Sequence, residues 1–439
     1  MTVELAHPST EPLASRSPAV PAHPRWWFIW TTPGRILAIG LILAALGASS
    51  AFATSTTIDH RQQALTTVLN HTEPLAFAAG QLYTTLSVAD AAAATAFIAG
   101  AEPRPVRQRY EQAITDAAVA LTRASSGLTD EPMQELLGRI NSELAIYTGL
   151  VETARTNNRA GNPVGSSYLS EASSLMQDKI LPDAQRLYEE TSKRVDEETT
   201  ASTRIPTPVI LVIATTIVFG AFAHRWLARR TRRRVNIGLI AGGLAIMIMV
   251  IWVGTALAIS TAGSRSAKDT AAESLKTVTT LAITAQQARA DETLSLIRRG
   301  DEDVRKQSYY QRIDTMQQQL AAYLERSDAI DTSDLKNADT LLTKWRSADE
   351  RINAYIAVGN YQAATQVALG TGEDDSTPAF DKLEAALTSG IQESRTQLRN
   401  DIINARRVLS GTTVGGVVLS LGAAVAVALG LWPRMSEYR

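Results

Sequence analysis

The sequence predicts an all-α membrane protein with four transmembrane helices and two extracytoplasmic four-helix bundles. Three observations carry that reading. Apolar residues concentrate in four blocks, each near the ~20 residues that a helix rising ~1.5 Å per residue needs to cross a ~30 Å hydrocarbon core. The long stretches between them, residues 55–204 and 260–407, are rich in Ala, Gln, Glu, Arg, Leu and Thr, and no run alternates with period two. The short link between the second and third blocks carries Arg225, Arg229, Arg230, Arg232, Arg233 and Arg234 and no acid. A loop of that kind marks the cytoplasmic side.

Residues 1–34 read as a cytoplasmic tail in which Trp26, Trp27 and Trp30 approach the membrane. The first span covers 35–54. Its Ala51-Phe52-Ala53 resembles a signal-peptidase site, but the long preceding tail and the repeated layout favour a retained anchor. Residues 205–227 form the second span, 228–234 the arginine loop, 235–259 the third and most hydrophobic span, and 408–431 the fourth. Residues 432–439 form a second cytoplasmic tail. No span contains an acid or a lysine, as expected of helices facing lipid or one another. Both termini are therefore expected inside a plasma membrane, and residues 55–204 and 260–407 outside it.

Those two external segments share one plan, which makes the chain an internal repeat. Phe97-Ile98-Ala99-Gly100 echoes Leu296-Ile297-Arg298-Arg299-Gly300 at the end of each first helix, Tyr110 echoes Tyr310, and Tyr147 echoes Tyr355. Apolar residues step by four and three, the spacing of a bundle seam packed at about 20°. In the first segment the seam runs Tyr110, Ile114, Ala117, Leu121, Ala124, Leu128, then Met133, Leu137, Ile140, Leu144, Tyr147, Val151. In the second it runs Tyr309, Ile313, Met316, Leu320, Tyr323, then Leu335, Ala338, Leu342, Trp345, Ile352, Ile356, with Asp349 its one polar member. Breaks at 100–105, 126–132 and 157–165, and at 299–301, 328–333 and 370–378, divide each segment into four helices. Pro74 and Pro182 should bend the outer helices of the first bundle. The second bundle lacks such prolines and is expected to be stiffer.

The composition excludes much chemistry. The 439 residues carry a net charge of −1, so nothing points to nucleic acid, and there is no cysteine for disulfides, thiolate catalysis or thiolate metal sites. No phosphate-binding glycine loop, zinc-ligand spacing or nucleophile elbow occurs. Glu373-Asp374-Asp375 reads as an acidic turn, because the rest of a calcium loop is missing. No enzyme activity and no cofactor are expected. Basic groups are the remaining candidates. Arg104, Arg107, Arg109, Arg155, Asn158 and Arg159 in the first bundle, and Arg298, Arg299 and Arg305 in the second, could contact an anion or an acidic partner surface. Each could equally be a solvated helix end. Arg229, Arg230, Arg232, Arg233 and Arg234 could couple the spans to a cytoplasmic partner or to anionic lipid of the bilayer.

Tyr168-Leu169, Ala172-Ser173-Ser174-Leu175-Met176, Ile180-Leu181-Pro182 and Leu187-Tyr188 resemble the sensor modules of bacterial chemoreceptors and histidine kinases. Over its full length the chain resembles the GlnX-type family of actinobacterial membrane signal transducers. That resemblance rests on four spans, two external bundles and the arginine link. It implies a relay in which a glutamine-binding-type lipoprotein captures acidic amino acids and a cytosolic Ser/Thr kinase, protein kinase G, responds. It brings no catalytic residues, and it is compatible with a homodimer. Three other readings stay open: a receptor binding a small anion directly, an accessory subunit of an amino-acid transporter, and a structural membrane scaffold.

Overall fold

Nearly every long run between the Gly and Pro breaks is helical in the computed structural model, which describes residues 32–99, 104–128, 130–203, 207–231, 237–297, 302–326 and 333–436. Among the described residues there is no strand, and four helices are long and apolar enough to cross a membrane. The protein is an all-α membrane protein. It divides into two compact units. One holds residues up to 52, 210–249 and from 418 onward; the other holds 53–209 and 250–417.

The first unit is built from the apolar segments. Small residues bring its helices together. A Cβ on Gly242 would collide with Val427 and come within 3.3 Å of the Ala423 carbonyl oxygen. The Ser50 and Thr216 hydroxyls lie 2.9 Å apart, a polar contact that satisfies both where water is scarce. Leu41, Leu211, Val218, Phe222, Leu421 and Leu429 stay exposed on the outside of the unit. In a soluble protein so many exposed large apolar side chains would drive aggregation, whereas lipid covers them at no cost.

The second unit contains two helical bundles. In the first, α1 (Thr32–Thr67) passes through a π turn at Val68–Thr72 into α2 (Glu73–Ile98). Helices α3 (Arg104–Gly127), α4 (Glu131–Arg159), α5 (Val164–Leu175) and α6 (Leu181–Thr203) follow. A second π turn, Met176–Ile180, joins α5 to α6. Both π turns sit just ahead of Pro74 and Pro182. Each proline thus lies in the opening turn of a new α-helix, where its missing N–H leaves no acceptor wanting. Beyond α7 (Thr207–Thr231), the second bundle begins in α8 (Ile237–Ser266) and continues as α9 (Glu273–Ile297), α10 (Glu302–Leu324) and α11 (Ser333–Ala357). It closes with α12 (Tyr361–Leu369) and α13 (Ser376–Ser410), and α14 (Thr412–Ser436) follows.

Three expectations need correction here. The second bundle is not free of interruptions, because a π turn at Ala267–Ala272 joins α8 to α9 without any proline. The wider turn keeps the small Ala267 and Ala271 fully buried. The third connection of that bundle breaks twice rather than once. Gly359 takes a left-handed φ of 73°, and the Asn360 side chain then accepts from the Ala363 N–H at 3.1 Å to start α12. Finally, Tyr355 does not repeat Tyr147: the former is 39% exposed and the latter completely buried. The buried stripe of α11 runs through Trp345, Asp349 and Ile352, which leaves position 355 on the outer face.

Elsewhere the four-three stripe is the core. Tyr309, Ile313, Met316, Leu320 and Tyr323 are buried along α10, and Met133, Leu137, Ile140, Leu144 and Tyr147 along α4. The second core is organised around Trp345, whose ring meets Tyr309 edge-on at 5.4 Å and Phe380 at 5.0 Å. Its indole N–H donates to Glu292 Oε1 at 3.2 Å. Replacing Trp345 with alanine removes both ring contacts and strands a buried acceptor, at a cost of about 3–5 kcal/mol. Thermal unfolding of the full chain in detergent micelles should show a clear downward shift. A midpoint unchanged by Trp345→Ala would show that this ring is not central to the core.

Candidate functional site at the seam between the bundles

The two bundles are docked along α2 and α9 within the second unit. Neither helix has a solvent stripe to spare. Every residue of α9 from Ala288 to Leu294 is buried, and α2 buries Ala78, Ala79, Leu82, Tyr83 and Leu86. Gly80 permits the close approach, since a Cβ there would sit 3.4 Å from Tyr188 on its own bundle and 3.5 Å from Thr279 on the other.

Polar bonds cross the seam at several levels. Glu73, only 2% exposed, accepts from Arg395 Nε at 2.5 Å and from Arg399 Nη1 at 2.7 Å. Arg395 also lies over the Phe77 ring, 3.8 Å from its centroid. Gln287 Nε2 donates to the Tyr83 hydroxyl at 2.5 Å, and burial raises the Tyr83 pKa despite that bond. Arg109 reaches Asp381 at 2.9 Å and Glu384 at 2.7 Å. Burial alone would lower the Arg109 pKa, but those two carboxylates outweigh it and raise it. Between these ties lies a cavity of about 480 Å³, with an apolar floor at Ala76, Ile283 and Leu398 and charged edges at Lys193, Glu273 and Lys276.

Behind the seam, the second bundle buries a charge network. Arg289 pairs with Glu292 and donates to Ser376 Oγ and Thr377 Oγ1, each at 2.8 Å. Asp349, the polar member of the α11 stripe, is 3% exposed and accepts from Asn353 Nδ2 at 2.7 Å. Burial, with the nearby charge of Glu292, pushes its pKa up to about 7 against the lowering pull of Tyr310, Lys306 and Asn353.

The basic residues singled out in the sequence meet different fates. Arg107, Arg155, Asn158 and Arg159 do converge, with Tyr110, around a cleft of about 30 Å³. Arg107 is paired with Glu111 at 2.6 Å and Arg155 with Glu152 at 3.0 Å, while Asn158 donates to the Phe97 carbonyl oxygen at 3.2 Å. Arg109 is not part of that cleft; it is one of the ties across the seam. Arg104 is exposed at the start of α3, and Arg229 is exposed within α7. Arg232, Arg233, Arg234, Arg298, Arg299 and the Trp26–Trp30 segment lie outside the described residues, as do the side chains of Arg230 and Arg305. Glu73, Gln286, Arg289, Asp381, Glu384, Arg395 and Arg399 escaped sequence reasoning. Their signal was the lack of any clean polar face on α2 and α9, which marks helices buried all round. Among the described residues, no group of three His, Asp or Glu side chains is placed to hold a metal ion.

A family model described as an actinobacterial sensor domain matches residues 64–200, from the end of α1 into α6. The match supports a sensor protein of actinobacterial type. No curated protein and no solved structure gives a match.

The raised Asp349 pKa makes a signed prediction. Its carboxyl binds a proton more tightly in the folded chain than in the unfolded chain. Its contribution to stability is therefore present at low pH and lost as pH rises from about 4 to about 7, a swing of roughly 4 kcal/mol. Asp349→Asn cannot titrate, so its melting temperature should gain on that of the wild type between pH 5 and pH 8. A difference between the two proteins that stays constant with pH would contradict this assignment.

Proposed function

We propose that the chain is a non-enzymatic transmembrane signal transducer, and the sensor-domain match over residues 64–200 is the observation that carries this reading. Its signal is the external availability of aspartate- or glutamate-type amino acids, captured by an amino-acid-binding lipoprotein. Its reader is a cytosolic Ser/Thr protein kinase. The likeness to the GlnX-type transducers supports both partners. The arginine cluster around residues 225–234 supports a plasma-membrane topology with that link and both termini inside and the paired bundles outside.

The paired bundles suit the receiving end of such a relay. External binding shifts a transducer only by its differential affinity for two arrangements, typically about 1–3 kcal/mol of coupling. A seam containing a cavity of about 480 Å³ leaves room for small shifts of one bundle against the other. Helices α1, α7, α8 and α14 each carry residues of both compact units, so a movement of their bundle portions is passed along a continuous backbone.

Topology can be tested with single cysteines, since the chain has no thiol of its own. Ala160→Cys and Val358→Cys suit, as both positions are exposed; Gly370 does not, because a Cβ there would collide with Asp375. Both should react with a membrane-impermeant maleimide applied to intact cells, and reaction only after lysis would overturn the orientation. Coupling is tested by Arg229→Gln combined with Arg230→Gln. Membrane abundance should hold while the response of the kinase's target to external acidic amino acids falls about five-fold, equivalent to about 1 kcal/mol. A wild-type response at equal abundance would reduce those arginines to a topology signal.

A further inference from the structure

Gln286 on α9 has an incomplete set of bonds. It is 2% exposed; its Nε2 donates to Glu384 Oε1 at 2.6 Å, and its Oε1 has no partner. Turning the amide over would press Oε1 against the Glu384 carboxylate, so the orientation is set by its neighbour and the free atom is an acceptor. Gln286 lines a cavity of about 170 Å³ enclosed by α2 and α3 of one bundle and α9 and α13 of the other. The Tyr110 hydroxyl is also buried without a partner, but its cleft of about 30 Å³ has room for little more than water. The larger cavity exceeds the roughly 150 Å³ that holds benzene, which gives room for a solute of about six to nine non-hydrogen atoms. The cavity of about 480 Å³ is larger still, yet no buried polar atom without a partner lines it among the described residues.

The walls state what that solute must carry. Arg109 and Arg289 both line the cavity, and a guanidinium has five N–H donors, more than their bonds to Asp381, Glu384, Glu292, Ser376 and Thr377 consume. Asp381 faces the same space. A simple carboxylate would leave Gln286 Oε1 without a donor, and a simple amine would be placed beside two guanidinium groups. A zwitterion answers both demands. We infer that this cavity binds a small free amino acid directly. Its ammonium is held by Gln286 Oε1 and Asp381, its carboxylate by Arg289 and Arg109, and its short side chain lies near Val88, Ala92 and Phe380. Such a ligand touches both bundles at once and so favours their docked arrangement. This goes beyond the relay, in which a separate protein captures the amino acid.

Isothermal titration of the purified full chain in nanodiscs tests the inference with no partner present, so the outcome is independent of the relay. Glycine, alanine, serine and aspartate are titrated beside acetate and methylamine, up to about 10 mM. At least one amino acid should bind saturably, and neither control should. Gln286→Leu should weaken binding about ten-fold or more. Ala91→Leu fills the cavity without touching a polar group and should abolish binding while the protein stays folded. Silence from every amino acid would show that the cavity holds only water. Acetate or methylamine binding as well as the amino acids, or an Ala91→Leu protein that binds like the wild type, would likewise overturn the proposal.

Discussion

The organisation of the second unit depends on one buried carboxylate. Glu73 opens α2 immediately after a π turn, is shut off from water, and finds its counter-charges only on α13 of the other bundle. A carboxylate in that position cannot be left unpaired without a penalty of several kcal/mol. The two bundles therefore cannot separate at this level without first hydrating the group. The Arg395 guanidinium on Phe77 and the bond from Arg399 to the Leu69 carbonyl oxygen hold the cations in place, so the pairing is specific in register as well as in charge.

That constraint explains why some parts of the molecule were legible in the sequence and others were not. Helices α4, α10 and α11 face one core and solvent, and their four-three stripes named Leu137, Tyr147, Tyr309 and Trp345 as core residues correctly. Asp349 broke its stripe visibly, and the structure buries it. Helices α2 and α9 serve two interfaces at once. Their buried residues therefore cover all faces, and periodicity carries no information about which polar ones are paired. The stripe of α3 was placed one residue off at two points. Ala113 and Ala120 are buried, while Ile114 and Leu121 pack at the edge of the core. Small residues admit closer helices than the larger apolar neighbours that drew the eye.

The expected asymmetry in stiffness failed for a related reason. Proline was treated as the cause of helix irregularity, and Ala267–Ala272 forms a π turn without one. What the three π turns share is position: each precedes a glutamate or a proline-bearing turn of an inner helix, close to where the bundles meet. A π turn inserts one residue and re-aims the helix beyond it, which lets a helix satisfy two packing partners in succession.

The ties across the seam are unequal in strength, and the inequality has a direction along α2. At its first turn the Glu73 pairings are inaccessible to water and hard to break. Near its far end the Arg109 pairings are between groups exposed by 25–44%, and ion pairs of that exposure contribute about 0–1 kcal/mol each. A stress applied to the paired bundles is therefore relieved first at the Arg109 end, with the Glu73 end as the fixed point. The cavity beside Gln286 lies at that yielding end, where Arg109 and Asp381 are themselves part of its wall. A solute bound there acts on the weakest part of the interface, where a few hydrogen bonds are comparable in free energy to everything else holding the two bundles together.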